Sequence, residues 1–501
     1  MMQDLSISRR ALFASATSFM AGIAALSRST LAQQRPLIIG QTFIAGGLDV
    51  AEGSAGWAMV SHGVAENLFT VDRYGHVVPQ LASSASRDGD MAWSVTLSPG
   101  RRFSDGTPVT ASEVSAALSR NVERNPATRA SVGRLQFIPI DDLTMRVITE
   151  RPTPVLKSVL AEWGFAVARA GSSGPAFTGP FRVVSFETGS RLALEPNPHW
   201  QRPSSHSVTI VRFQDGQSLA LAFRSGEIDL AFNLPVESLG MGRADGLRTV
   251  KTFPVAYQYL AILNTRRTVL SDERVRRAIS MTIDRAQIVQ AIRGGKPSAS
   301  LWASIFPFGD VSVSPTDRRG AAMLLDEAGW VPGSDGVRTK NGVRLSISLW
   351  AYPQRPDLAT MQPVLRSQLA AIGIAVETRM TEQATTLARS GDFDILLWAQ
   401  HTAPAGDPAF FPGLFLASDG GNNFAGWHDG AMDRLVAALR NAVRPDERVA
   451  IARQIDARTR EAAPVIPLVT PEWHVGLSQR LASYEPWGSD YYIVRGDLTA
   501  P

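Results

Sequence analysis

The stretch VLRSQLAAIGIAVETRM, residues 364–380, constrains the fold more than any other part of the chain. Apolar residues at helical spacing run to Ile372, Gly373 ends the helix, and a strand pattern follows at once. LSISLW (345–350) precedes this helix, and FDILLW (393–398) follows a short polar interval. Strand, helix and strand in that order predict βαβ units and at least one mixed or parallel sheet.

Other strand patterns are PLIIGQTF (36–43), AWSVTL (92–97), TMRVIT (144–149), FRVVSF (181–186), RLALEP (191–196) and VTIVRF (208–213). Helices carry start and stop signals. Thr110-Ala111-Ser112-Glu113 reads as a capping box, and a helix is expected over 271–292, from a Ser-Asp cap to Gly294-Gly295. Region 33–255 is richer in strands and 270–465 in helices. A chain of 501 residues exceeds one compact core. The pattern therefore predicts two α/β lobes, with a crossing near 257–265 and a return near 466–478. Two crossings make a hinge with a cleft between the lobes.

Charge narrows the partners. The 50 basic and 46 acidic residues nearly cancel, so no general field favours nucleic acid or an anionic membrane. There is no cysteine, which removes disulfides, thiolate metal ligands and thiol catalysis. At the N-terminus, Arg9-Arg10 precedes a short apolar run, and small residues lead up to Ala32. Residues 1–32 read as an export signal of twin-arginine type, cleaved before Gln33. No HExxH, GxSxG or GxxxxGK[ST] motif occurs, and the seven histidines lack metal-ligand spacing, so a binding function is expected rather than an enzyme.

Several blocks resemble one family. TGPFRVVSFETGSRLALEPNPHWQRP (178–203), WSVTLSPGRRFSDGTPVTASEV (93–114), LAFRSGEIDLAFNLP (221–235), LAILNTRRTVLSDERVRRAISMTIDRAQIV (260–289), AAMLLDEAGW (321–330) and APVIPLVTPEWHVGLS (463–478) are similar, in order, to the extracytoplasmic solute-binding proteins of peptide and nickel ABC importers. The resemblance implies an α/β, two-lobed periplasmic-binding-protein fold of type II, with mixed sheets and an inter-lobe cleft. Lobe I would take 33–255, with an extra subdomain, and the C-terminal 475–501; lobe II would take 256–474. It further implies a periplasmic monomer that closes on a small solute and serves an ABC permease and its ATPase, with no resident cofactor.

The ligand is then read from WAQHTAPAGDP (398–408), expected as a loop after the strand FDILLW. In peptide-binding members of this family, an aspartate four residues before the proline of a D/E-P pair holds the peptide ammonium. Here Asp407-Pro408 is the pair and Pro404 stands in that place, where proline offers neither charge nor backbone donor. GGLDVAEGSAGWAMVSHGVAENLF (46–69) and Asn125-Pro126 near Arg129 resemble the nickel or metal-chelate branch. On that resemblance the ligand is a metal chelate, nickel being the leading metal and arriving as part of the solute; a di- or oligopeptide is the alternative. Candidate ligand-binding residues are Trp398, Gln400, His401, Trp57, Arg129, Trp163 and Trp427, with His401 the candidate metal ligand. Each also has a plain structural reading: a backbone-bonded histidine, core tryptophans, a solvated arginine.

Overall fold

In the computed structural model, residues 35–72, 76–129, 133–171, 174–243, 248–310, 312–313 and 315–498 are described. The segment read as an export signal lies outside them.

Two large sheets carry the two lobes. The first has seven strands in the order Phe181–Glu187, Arg191–Pro196, Val208–Arg212, Leu37–Gln41, Leu230–Phe232, Glu472–Ser478 and Arg248–Pro254. The second has six: Lys296–Pro297, Val465–Thr470, Tyr257–Leu263, Ile395–His401, Ser346–Ala351 and Ala375–Met380. Both are mixed. Leu37–Gln41 runs parallel to both of its neighbours, and Ser346–Ala351 runs parallel to both Ala375–Met380 and Ile395–His401. The βαβ unit expected around Gly373 is therefore present. Its helix is Pro356–Ala370, and Gly373 takes φ +83°, a left-handed conformation that lets the chain turn directly into the strand.

A four-stranded antiparallel sheet, in the order Ala82–Arg87, Ala92–Leu97, Thr144–Thr149 and Leu135–Pro139, forms its own core with helix Ala111–Arg124. Thr110 caps that helix by accepting from the Glu113 backbone N–H.

The chain passes between the large sheets at Val255-Ala256 and returns at Pro471, so that the crossings lie side by side. The Val255 amide donates to the Pro471 carbonyl at 3.4 Å. The return comes before the 474/475 boundary expected from sequence, because Glu472 already pairs with Pro254 in the first sheet.

The helix expected over 271–292 is two helices, Glu273–Thr282 and Arg285–Ile292. Ile283 and Asp284 are extended, and the Asp284 carboxylate caps a fresh start by accepting from the amides of Ala286 and Gln287. The apolar periodicity spans both helices, which is why it reads as one.

Candidate functional site

The strand expected to end at Trp398 continues to His401. Pairing with Tyr257–Leu263 runs unbroken from Ile395 opposite Leu263 to His401 opposite Tyr257. Because side chains alternate along a strand, Trp398 and Gln400 leave from one face and His401 from the other. The three residues read as sharing one loop surface are thereby separated.

On the first face, the Trp398 indole packs against Tyr352, Phe415 and Phe424, with ring centroids 5.4–6.4 Å apart. Its N–H donates to the Gln400 side-chain oxygen at 3.1 Å, and the Gln400 amide donates to the His401 carbonyl at 3.1 Å. The side chain of Gln400, a candidate ligand-binding residue, is thus engaged inside the protein.

His401 faces the lobe boundary. Its ring lies 5.3 Å from Tyr257 and 5.4 Å from Tyr491, and it is 4% exposed. Its Nδ1 has no hydrogen-bond partner among the described residues. Burial among these rings lowers its pKa to about 3, so the imidazole is neutral at physiological pH.

His401 borders a cavity of about 550 Å³ between the lobes. The loop that follows it contributes Ala403, Pro404 and Gly406; the crossings contribute Val255, Ala256 and Pro471; the C-terminal segment contributes Trp487 and Tyr492. Carboxylates also line the cavity, at Asp72, Glu472 and Glu485, together with Lys296. Glu485 is held 2.6 Å from Lys251, and Glu472 accepts from the Gly295 amide at 3.2 Å. Asp407 is not among the residues that line this cavity. It forms a buried pair with Arg448, whose Nη2 donates to both carboxylate oxygens at 2.7 Å.

Beside this cavity lies a polar cluster that spans the lobes. Arg355 follows strand Ser346–Ala351 of the six-stranded sheet, and its Nη2 donates to Asp490 at 2.5 Å. Asp490 also accepts from the Tyr257 hydroxyl at 2.6 Å and the Trp57 indole at 3.1 Å. A second buried acid, Asp357, accepts from the Tyr259 hydroxyl at 2.6 Å; burial raises its pKa to about 6.

Of the other candidates, Trp57 belongs to this cluster. Trp163 is half-buried against the core containing Trp302 and Phe415. Trp427 is buried in that same core, away from the cavity lining. Arg129 donates to the carbonyls of Val122 and Glu123, satisfying the C-terminal end of helix Ala111–Arg124, so its guanidinium is committed to a helix end.

Sequence reasoning misses Arg355 and Asp490. Arg355 has a usable signal: Pro356 at the start of a helix, directly after a strand, marks a turn at the carboxyl edge of a sheet, where α/β proteins place ligand-binding groups. Nothing around Asp490 marks it in the sequence.

Residues 76–423 match the family described as bacterial extracellular solute-binding proteins, family 5 middle. The chain belongs to this family. Its function is to bind a solute for an importer of the peptide and nickel ABC class. The chain is 28% identical to Protein XP55 of Streptomyces lividans over 75% of this chain and 73% of that one. The structure of NikA from Staphylococcus aureus in complex with Ni(L-His)2 superposes with a TM-score of 0.83 at 20% identity, covering 92% of this chain and 98% of that one. AppA from Bacillus subtilis in complex with a nonapeptide superposes with a TM-score of 0.79 at 18% identity, covering 91% and 98%. At these identities the structural likeness establishes the fold, and it is nearly equal for a metal-chelate complex and a peptide complex.

Proposed function

We propose that this solute-binding protein captures a divalent metal, nickel first, as a complex with a small organic chelator, and that His401 supplies an imidazole to the metal. The observation that carries this reading is the state of His401: neutral, buried, bordering the inter-lobe cavity, and with Nδ1 unpartnered among the described residues. A neutral imidazole is a good donor for nickel. Among the described residues no three His, Cys, Asp or Glu side chains converge on one point, so the chelator must bring the remaining donors. The cavity volume suits such a complex better than a bare ion.

A peptide is the second reading, favoured by the three carboxylates on the cavity wall. Pro404 weighs against the family's usual ammonium anchor, because a peptide would need Asp72, Glu472 or Glu485 instead. In either case an ABC permease and its ATPase are the partners, and the binding protein acts as a monomer after export and removal of residues 1–32.

Calorimetry separates the readings. Nickel with histidine is titrated against di- to pentapeptides, and His401→Ala is compared with the unaltered protein. Chelate binding that weakens at least tenfold in the variant is expected. Micromolar or tighter peptide binding that is unchanged in the variant, with no response to nickel plus histidine, overturns the proposal.

A further inference from the structure

Two ion pairs among the described residues join the lobes: Arg212 with Glu382 at 3.4 Å, part-exposed, and Arg355 with Asp490, which is buried. We infer that Arg355 and Asp490 form a built-in closure latch, which makes part of lobe closure independent of the solute. The inference concerns the hinge and holds for a metal chelate or a peptide alike.

Each partner is anchored in a different lobe. Arg355 is held between strand Ser346–Ala351 and helix Pro356–Ala370 of the six-stranded sheet. Asp490 opens a short helical turn, Asp490–Tyr492, fixed to the seven-stranded lobe. There the Tyr484 hydroxyl donates to the Ile493 carbonyl, the Val494 amide donates to the Ser61 carbonyl, and Ile493 and Val494 enter the core. The pair is sealed, with side chains 8% and 0% exposed.

The surroundings of the guanidinium give the pair its direction. Its central carbon lies 5.0 Å from the Trp473 ring, 5.3 Å from Phe43, 5.5 Å from Tyr257 and 5.9 Å from Trp57. Three of those rings, Phe43, Trp57 and Trp473, belong to the opposite lobe. A buried ion pair by itself barely offsets its own desolvation. Here the cation additionally meets aromatic faces, and Asp490 takes two further hydrogen bonds, from Tyr257 and Trp57. Opening the cleft removes the contacts with the opposite lobe together. A neighbouring contact reinforces the junction: the Thr42 hydroxyl of the first lobe donates to the Gln354 carbonyl of the second at 2.8 Å.

The latch makes an asymmetric prediction. Asp490→Asn leaves the buried Arg355 cation without its hydrogen-bonded counter-charge, a penalty felt chiefly in the closed form, with Asp357 the one other acid of the cluster near it. Arg355→Met leaves Asp490 with two donors and replaces the stem by an apolar chain of similar reach. The first variant should open the protein strongly and the second mildly, and the double variant should recover closure relative to Asp490→Asn, since a buried pair replaced as a unit costs little. Any solute that binds the closed form would then lose affinity in proportion to the lost closed population.

The test needs no solute. The chain has no cysteine, so Leu221→Cys in the first lobe and Met323→Cys in the second, both exposed, are the only thiols for a pair of spin labels. Inter-label distances are measured in the purified labelled protein without added ligand. A substantial closed population is expected, with the closed-to-open ratio falling on the order of a hundredfold in Asp490→Asn. Partial recovery is expected in the double variant. Circular dichroism of each variant checks that both lobes stay folded. Should Asp490→Asn fail to fold, Arg355→Gln on the other lobe carries the test, and its opening supports the latch. Distance distributions unchanged in the Arg355 variants and in any folded Asp490 variant, or a parent protein that is fully open, refute it.

Discussion

Replacing Asp407 by asparagine takes the charge from the one acid of the stretch 398–408 while keeping its shape, and should destabilise the lobe that carries it. Asp407 and Arg448 are 4% and 6% exposed, joined by a double hydrogen bond, and Arg448 also donates to the carbonyls of Leu439 and Ala442 at 2.7 and 2.9 Å. Removing one partner of a buried pair costs about 3–5 kcal/mol. The two carbonyl bonds remain, which puts Asp407→Asn near the low end, about 3 kcal/mol. A lobe of this size shifts its melting temperature by about 2–4 °C per kcal/mol, so the expected fall is about 6–12 °C. Melting is followed by circular dichroism at pH 7.5 for Asp407→Asn and for the paired change Asp407→Leu with Arg448→Met. The paired change should recover much of the loss, because it leaves no buried charge behind. Preference between chelate and peptide should stay the same in Asp407→Asn. A melting temperature within about 2 °C of the unaltered protein would show that the pair does not hold the loop. A switch in ligand preference would show that Asp407 reads the solute after all.

Two further outcomes are expected. His62 and His401 both have pKa values lowered to about 3 by burial, so the stability they contribute is complete above their ordinary value of 6.5 and is lost as pH falls from there. Asp357, raised to about 6, acts oppositely between its ordinary 3.8 and that value, and Glu66 and Asp456, also raised by burial, act with it. His206 and His474, lowered by burial, and carboxylates lowered by arginine partners, such as Asp49, Asp272 and Asp429, lose stability on acidification together with the two histidines and outnumber the raised acids. Urea midpoints should therefore be lower at pH 5 than at pH 7.5; an equal or higher midpoint at pH 5 contradicts the buried-neutral histidines. N-terminal sequencing of protein recovered from the exporting cell should begin at Gln33, and Arg9→Lys with Arg10→Lys should leave uncleaved protein in the cytoplasm. Normal export of that double variant removes the twin-arginine assignment.

The scaffold was legible in sequence because its signals are local. Gly373 needs only its own backbone freedom, Thr110 only the amide three residues on, and both stand where the pattern places them. The crossings were legible to within a few residues for a related reason: Tyr257–Leu263 and Val465–Thr470 are almost wholly buried strands, and their apolar runs stand out. The split of 271–292 into two helices was less visible, since a single aspartate cap competes there with an uninterrupted apolar stripe.

The site resisted reading for the opposite reason: its parts are defined by pairings between distant segments. Whether Trp398, Gln400 and His401 share a surface depends on whether the strand stops at 398 or at 401. That is decided by Tyr257 and Gln258 of another strand, which offer pairing partners as far as His401. Those added residues of pairing turn Gln400 inward and leave His401 as the side chain that meets the other lobe. The same logic places Arg355. It stands at the carboxyl edge of the six-stranded sheet, and Gln41 to Phe43 stand at the carboxyl edge of parallel strands in the seven-stranded sheet, so closure brings the two edges together. The scaffold residues that create these edges lie within the sheets, whereas the residues that line the inter-lobe cavity include the last residue of one strand, His401, and the loop just past it. If His401 meets the solute as proposed, substitution at 401 or 404 should change the solute while sheet and hinge stay as they are, because neither side chain holds the sheets together; the structures this fold resembles include both a nickel complex and a nonapeptide complex.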